Sequence, residues 1–394
     1  MIAYADGAQS ARSSPETVAG VVGAAAIGEG ETDGMDTGVL MGWTPEDRPW
    51  LSSPSLRGRT VMAGYALAVA VAKRRMRYLP VRLSAMGSLL SEALRPDVAV
   101  VVGVRRGEEL VFGGSVGWGP AAARNAGSVV VEVDEAGADL GGPPIPGPIV
   151  AIVERPYMAA APPAPRRPDQ VELRIGRNVV QLLPDDPTLQ FGPGGIAEAI
   201  IASLDSPVGI WSGLVTDAVA ALAERGLLKD VATAAYTWGS APLERLHADG
   251  GLRLRPVEET HDPAVPAGIP RFVACNTALQ VGLDGSVNVE KVGRRWVAGI
   301  GGHADFCAGA ARSPGGVSII ALRSTTKTGM STIVPSVEVT STPRCDVEVV
   351  VTEHGVADLR GLDDGERAER IAAIAALEHR DSLRAAAANL GPSS

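Results

Sequence analysis

DVAVVVGV (residues 97–104) is an unbroken apolar run dominated by valine. It has no polar residue at every second position, so it reads as a strand buried on both faces, as in a parallel sheet covered by helices. SVVVEV (128–133) repeats the pattern. Between them, Gly117 to Asn125 holds Pro120 followed by three alanines and reads as a short helix with proline in its first turn. Working outward, further strands are expected at PTLQF (187–191), VGIW (208–211), SIIAL (318–322) and VEVVVT (347–352). Helical spacing joins Ile175, Val179, Leu182 and Leu183 within 171–183. A helix over 216–225 has Thr216 or Asp217 as N-cap and Gly226 as C-cap. The Ala-rich stretch 365–390 reads as helical. The alternation predicts an α/β chain with mostly parallel sheets.

At roughly 100–200 residues per domain, 394 residues suggest two or three domains. RPYMAAAPPAPRRP (155–168) is too rich in proline for a helix or a central strand. It reads as a linker between an N-terminal domain (1–154) and a C-terminal domain (169–394). Aromatics are only 4%, so Val, Leu, Ile and Ala must form the core. A net charge of −9 argues against nucleic acid as a partner. Cys275, Cys307 and Cys345 are widely spaced, so neither a disulfide framework nor structural zinc is expected. No two histidines have metal-ligand spacing on one helix, so no metal is expected. No apolar run has the length of a membrane helix, and the opening MIAYADG lacks the pattern of a signal peptide. The expectation is a soluble, cytoplasmic protein with reduced thiols.

Several local motifs have chemical meaning. Gln190-Phe191-Gly192-Pro193-Gly194-Gly195-Ile196 leads from a strand through glycines into a helix. Backbone N–H groups at such a turn suit a phosphate or a thioester oxygen, although a plain tight turn has the same look. Gly192-x-Gly194-x-x-Ala197 imitates a dinucleotide fingerprint, but the acidic partner is missing. Gly299 to Phe306 (GIGGHADF) follows a short apolar run and reads locally as a bulge or turn that could expose N–H groups. Gly113-Gly114-Ser115-Val116-Gly117 matches a nucleophile elbow, without evident acid and histidine partners in the expected order. Lys327 stands among hydroxyls and glycine after a strand, where it could meet a phosphate. His303 and His354 lie beside glycine turns after strands, while His247, His261 and His379 read as surface residues.

GGHADFCAGAARSPGGVSIIALRSTTKTGMSTIVP (301–335) and VVTEHGVADLRGL (350–362) resemble the acetyl-CoA hydrolase/transferase family, which includes acetate, butyrate and 4-hydroxybutyrate CoA-transferases. NTALQ (276–280), LDGSVNVE (283–290), TLQFGPGGIAEAI (188–200) and GSVGWGPAAARNAGSVVVEV (114–133) extend the likeness over most of the chain. It implies two CoA-transferase-type (NagB/RpiA-like) α/β domains with the active site in the cleft between them. It also implies a carboxylate nucleophile that passes CoA through a glutamyl–CoA thioester, with backbone amides stabilising the oxyanions. The substrates would be coenzyme A thioesters and a small carboxylic acid, in a homo- or hetero-oligomer, with no metal, nucleic acid or membrane. Carried over by position, Gly192, Gly194 and Gly195 would form the CoA loop. Gly301 and Gly302 would give backbone contacts, Lys327 would meet the polar part of CoA, and Asn276 would lie near the acyl or oxyanion region. Glu353 and Asp358 match the segment without an assigned role.

One departure matters. GIWSGLVTDAVA (209–220) matches the family's stretch around the nucleophilic glutamate, and Gly213 stands in the glutamate's place. Asp217 matches an Asp of the family and reads as a helix cap. Glycine cannot form a thioester. Three readings are open: a thioester enzyme without a covalent intermediate, with His303 in place of the family's Gln as candidate base; a non-catalytic binder or silent subunit; or a carboxylate from elsewhere, such as Glu353.

Overall fold

The computed structural model describes residues 1–4, 11–22, 38–155 and 167–388. Two eight-stranded sheets dominate. The first contains β1 (Ile2–Tyr4), β2 (Gly38–Met41), β3 (Arg57–Thr60), β4 (Met76–Tyr78), β5 (Val98–Arg106), β6 (Glu109–Phe112), β7 (Ser128–Asp134) and β8 (Ile149–Arg155). Its order is β4-β3-β2-β1-β5-β7-β8, all parallel, with β6 turned back on β5 as an antiparallel hairpin. β7 is buried at every position and β5 is buried over its first seven, as two-sided coverage requires. The intervening helix is Gly119–Asn125, with Pro120 in its first turn.

The second sheet contains β9 (Thr188–Phe191), β10 (Gly209–Val215), β11 (Ala232–Thr237), β12 (Leu252–Leu254), β13 (Phe272–Thr277) and strands Val317–Ala321, Val349–Thr352 and Gly355–Asp358. They lie in the order β12-β11-β10-β9-β13, followed by those three strands in sequence. Pairing is parallel except for the closing antiparallel hairpin at Val349–Asp358. The chain is therefore α/β with mostly parallel sheets.

The helix Gln170–Val180 starts in a capping box, in which Asp169 Oδ1 accepts from the N–H groups of Val171 and Glu172 at 3.0 Å and Glu172 reaches back. Helix Asp217–Glu224 is capped by Thr216. Asp217 instead accepts from the N–H and hydroxyl of Ser240, which corrects its reading as a cap. The helical stretch expected over 365–390 holds two helices, Asp364–Ala373 and Leu377–Ala387. The break falls where Ile374 and Ala375 turn into the core and the Thr352 hydroxyl takes the Ile374 carbonyl at 2.7 Å. Most of the proline-rich stretch 155–168 lies outside the described residues. Arg155 ends β8, and residues 167–169 lead into helix Gln170–Val180.

The two halves meet closely, and one buried core runs through both sheets. The Ser115 segment forms part of the joint. Val116 N–H and Gly117 N–H donate to Ala235 O, and Thr237 N–H donates to Gly114 O at 2.7 Å. At a second seam, a Cβ on Gly64 would fall 2.0 Å from Val297 O, and one on Gly299 would fall 2.3 Å from Val61 O. Only glycine permits that approach. Among the described residues, no helix is long and apolar enough to cross a membrane.

Candidate active site

In the second sheet the strand order reverses between β9 and β13. Crevices beyond the carboxyl ends of such strands are where ligands bind in open α/β sheets. A cavity of about 250 Å³ lies there. Gln190, Phe191 and Gly192 from the end of β9, and Asn276 and Thr277 from the end of β13, line its floor. The first sheet closes it with Trp43, Val61, Met62 and Tyr65, which come after the carboxyl ends of β2 and β3. The cavity is thus a cleft between the halves, and its walls are largely apolar.

Gly192, Gly213, Asn276, Gly301, Gly302 and His303 all line this cavity. Gly194 has φ +135° and caps the helix Gly195–Ser203 without a side chain. Gly301 has φ +58°, and Gly302 opens the helix His303–Ala310, again without a capping side chain. First-turn N–H groups of the helix Gly195–Ser203 are therefore left for a ligand, whereas His303 N–H donates to Ile300 O at 3.2 Å. Lys327 is on an exposed loop and does not line the cavity. Glu353 does not line it either. Its carboxylate accepts from Ser324 N–H at 2.9 Å and from the Ser324 hydroxyl at 2.6 Å, which pins the turn after strand Val317–Ala321.

The polar groups are held tightly. The Gln190 and Asn276 amides pair reciprocally at 3.2 and 3.1 Å, and Asn276 Nδ2 also reaches Cys307 Sγ at 3.6 Å. The sequence reading missed Gln190, which lies in the motif next to the glycines. His303 Nδ1 is 2.7 Å from Thr342 Oγ1. Burial pushes its pKa down to about 4, against a smaller upward pull from the Thr277 backbone. Burial raises the Cys307 thiol to about 12, so it is no nucleophile near neutral pH.

His261 corrects the sequence reading most sharply. Expected at the surface, it is 2% exposed and lines the cavity. Burial holds its pKa down at about 3. The short helix Val257–Thr260 carries it in, with His261 N–H donating to Val257 O at 2.9 Å and Trp211 Nε1–H donating to Thr260 O at 3.0 Å. No periodic pattern marks that segment. The only sequence signals are Gly213 and Gly302, whose missing side chains leave the ring its room.

Polar bonds also cross between the halves beside the cavity. Asp305 accepts from Ser84 N–H at 3.1 Å and from the Ser84 hydroxyl at 2.6 Å. Burial raises its carboxyl to about 6, and the Ser84 bonds work against that rise. Tyr78 donates to buried Glu290 at 2.6 Å and accepts from Ile300 N–H at 3.2 Å. Among the described residues, no group of three or more His, Cys, Asp or Glu side chains could hold a metal.

Residues 241–387 match the acetyl-CoA hydrolase/transferase C-terminal domain. That span contains His261, Asn276, the 299–303 loop, Lys327 and Glu353, while Gly192 and Gly213 precede it. The chain is 33% identical over 236 residues to 4-hydroxybutyrate coenzyme A transferase of Clostridium kluyveri, covering 56% of this chain and 54% of that protein. It is 29% identical over 332 residues to acetyl-CoA hydrolase of Eremothecium gossypii, covering 70% and 62%. The chain thus spans little more than half the length of these relatives. The solved structure of 4-hydroxybutyrate CoA-transferase from Porphyromonas gingivalis superposes with a TM-score of 0.71 at 28% identity, over 88% of this chain and 85% of that one. RipA of Yersinia pestis shares the fold, with a TM-score of 0.85 at 24% identity over 98% and 93% of the two chains.

Proposed function

We propose that this chain, which belongs to the acetyl-CoA hydrolase/transferase family, binds an acyl-CoA thioester in the cleft between its sheets and cleaves it with water, without a glutamyl–CoA intermediate. The observation that carries this reading is Gly213. It lines the cavity at the switch point, where the family resemblance would put the nucleophilic glutamate. A hydrogen atom stands where the carboxylate would be.

The cavity supports one acyl group rather than two. At about 250 Å³ it is smaller than the roughly 300–1,000 Å³ of drug-sized ligand sites. It suits the acyl end of the thioester and an attacking water, with the nucleotide part of CoA left outside. A direct transfer would need a second carboxylic acid at the same carbonyl, and little room remains for one. The uncapped helix start at Gly195 supports oxyanion or phosphate contacts by its N–H groups. Lys327, exposed on its loop, fits the phosphates of CoA better than the reacting carbonyl. The two sheets serve as the two domains of the cleft, the proline-rich stretch joins them, and the cytoplasm, where free CoA thioesters are at hand, is the compartment that suits the reaction.

The test combines thiol release with intact-protein mass spectrometry, using acetyl-, butyryl- and succinyl-CoA. Thiol release without a protein–CoA adduct is expected. A stable adduct would overturn the non-covalent mechanism. CoA binding without thiol release would favour a silent binding subunit, and the search would turn to its partner.

A further inference from the structure

The space beside Gly213 is filled by an imidazole. A Cβ on Gly213 would lie 3.0 Å from His261 Nε2, and a Cβ on Gly302 would lie 2.6 Å from the same atom. The ring occupies room that two side chains would otherwise need. Phe306 backs it, with ring centroids 4.7 Å apart and planes tilted by 50°.

The hydrogen bonds around the ring accommodate the Nδ1–H tautomer. Thr260 has a single hydroxyl proton, directed to Pro256 O at 3.2 Å. With that proton so directed, Thr260 Oγ1 accepts from His261 Nδ1–H across their 2.8 Å contact. Nε2 keeps its lone pair, on the side of Gly213 and Gly302, and has no hydrogen-bond partner among the described residues. His303 differs, because its Nε2 is sealed from water.

We infer, on the basis of the hydrolase reading, that His261 is the general base of this site, its Nε2 taking a proton from the water that attacks the thioester carbonyl. The water oxygen bonds to the carbonyl carbon as its proton moves to Nε2, and the C=O electron pair moves onto oxygen. The tetrahedral intermediate re-forms C=O and breaks the C–S bond. The electron pair leaves with sulfur, and the imidazolium returns its proton to give the CoA thiol and a carboxylic acid. Burial disfavours a lone imidazolium here, so the proton moves as negative charge grows on the carbonyl oxygen and the two charges form together. Gly213 and His261 are then one exchange: loss of the side chain at 213 opens the place that the imidazole fills.

The experiment compares the full chain with His261→Asn, which can still donate toward Thr260 but has no ring base. Steady-state thiol release from the three acyl-CoAs is measured alongside calorimetric CoA binding. The expected result is a kcat lower by about 10²–10⁴-fold, KM within about threefold, and partial rescue of His261→Gly by free imidazole. Wild-type turnover should also slow in D₂O, a readout that needs no variant. Unchanged kcat in His261→Asn, or no slowing in D₂O, overturns the base and leaves the hydrolase reading standing. A wild-type protein that releases no thiol from any of the three overturns both.

Discussion

The two sheets share one strand order and differ in the crossover that leaves the switch strand. β4-β3-β2-β1-β5-β7-β8 repeats as β12-β11-β10-β9-β13 and its two parallel successors. After β5, the crossover over 107–127 is short. It makes a hairpin, the joint segment at Ser115 and one helix. After β13, the crossover over 278–316 is longer. It carries two small hairpins, the 297–302 loop and the helix that holds His303. The second half thus supplies the polar groups of the cavity, and the first half supplies an apolar wall. Doubling a fold does not double a site: in the second half the ends of β9 and β13, the segment that carries His261 ahead of β13 and the longer crossover behind it all face the cavity.

The sharpest way to break this contrast is His261→Asn against Trp43→Ala. The first should lower turnover for every acyl group. The second should change which acyl group is preferred. Trp43 packs edge-on against Tyr65 and Trp238, with centroids 5.7 and 4.9 Å away, and faces the cavity. Removing it should favour butyryl- over acetyl-CoA by about 10-fold or more in kcat/KM, since a methylene in an apolar pocket is worth roughly 1–3 kcal/mol. A uniform loss for all acyl chains would show that the first half does more than line the pocket.

A smaller effect is expected in stability against pH. His261 and His303 titrate far below the usual value of 6.5, so their contribution is present above pH 6.5 and is lost as the pH falls toward 4 and 3. Asp305, raised to about 6, acts in the opposite sense, its contribution being full below 3.8 and lost as the pH rises through 6. At pH 5 the histidines remove about 2 kcal/mol each and Asp305 returns about 1 kcal/mol. The histidines win. Urea unfolding should show a loss of about 3 kcal/mol between pH 7 and pH 5, and His261→Asn should remove part of it. Equal stability at the two pH values would mean that the rings are not held neutral.

The smallest effect belongs to Lys327. An exposed lysine meeting a phosphate is worth up to about 1 kcal/mol. Lys327→Ala should weaken CoA binding no more than about fivefold, and the difference should vanish in 1 M salt. A larger, salt-resistant loss would move Lys327 into a desolvated contact.

Much of this was legible in the sequence, for identifiable reasons. The runs at 97–104 and 128–133 are buried on both faces, so hydropathy alone marks them. The Gly194 and Gly301–Gly302 turns are marked by composition, because Gly194 and Gly301 have positive φ and a Cβ on Gly302 would meet the His261 ring. Gly213 stood out against the resemblance. Burial of His261 was not legible, because it depends on contacts far apart in the chain: Trp211 holding the Thr260 carbonyl, and two glycines making room. The break near Ile374 was hidden for the same reason, since the hydroxyl that takes its carbonyl belongs to Thr352 on a strand. The placement of Glu353 was also out of reach, because its partner Ser324 leaves the neighbouring strand.

The glycine seam at Gly64 and Gly299 also bears on how the chain is made. The Gly299 N–H closes onto Met62 Sδ across 237 positions of sequence. At synthesis rates of 5–20 residues per second, on the order of 10–50 s separate the two sides of that contact. Throughout that interval the first sheet must wait with Trp43, Val61 and Met62 uncovered. The apolar wall of the cleft is, on the ribosome, a surface in need of shielding.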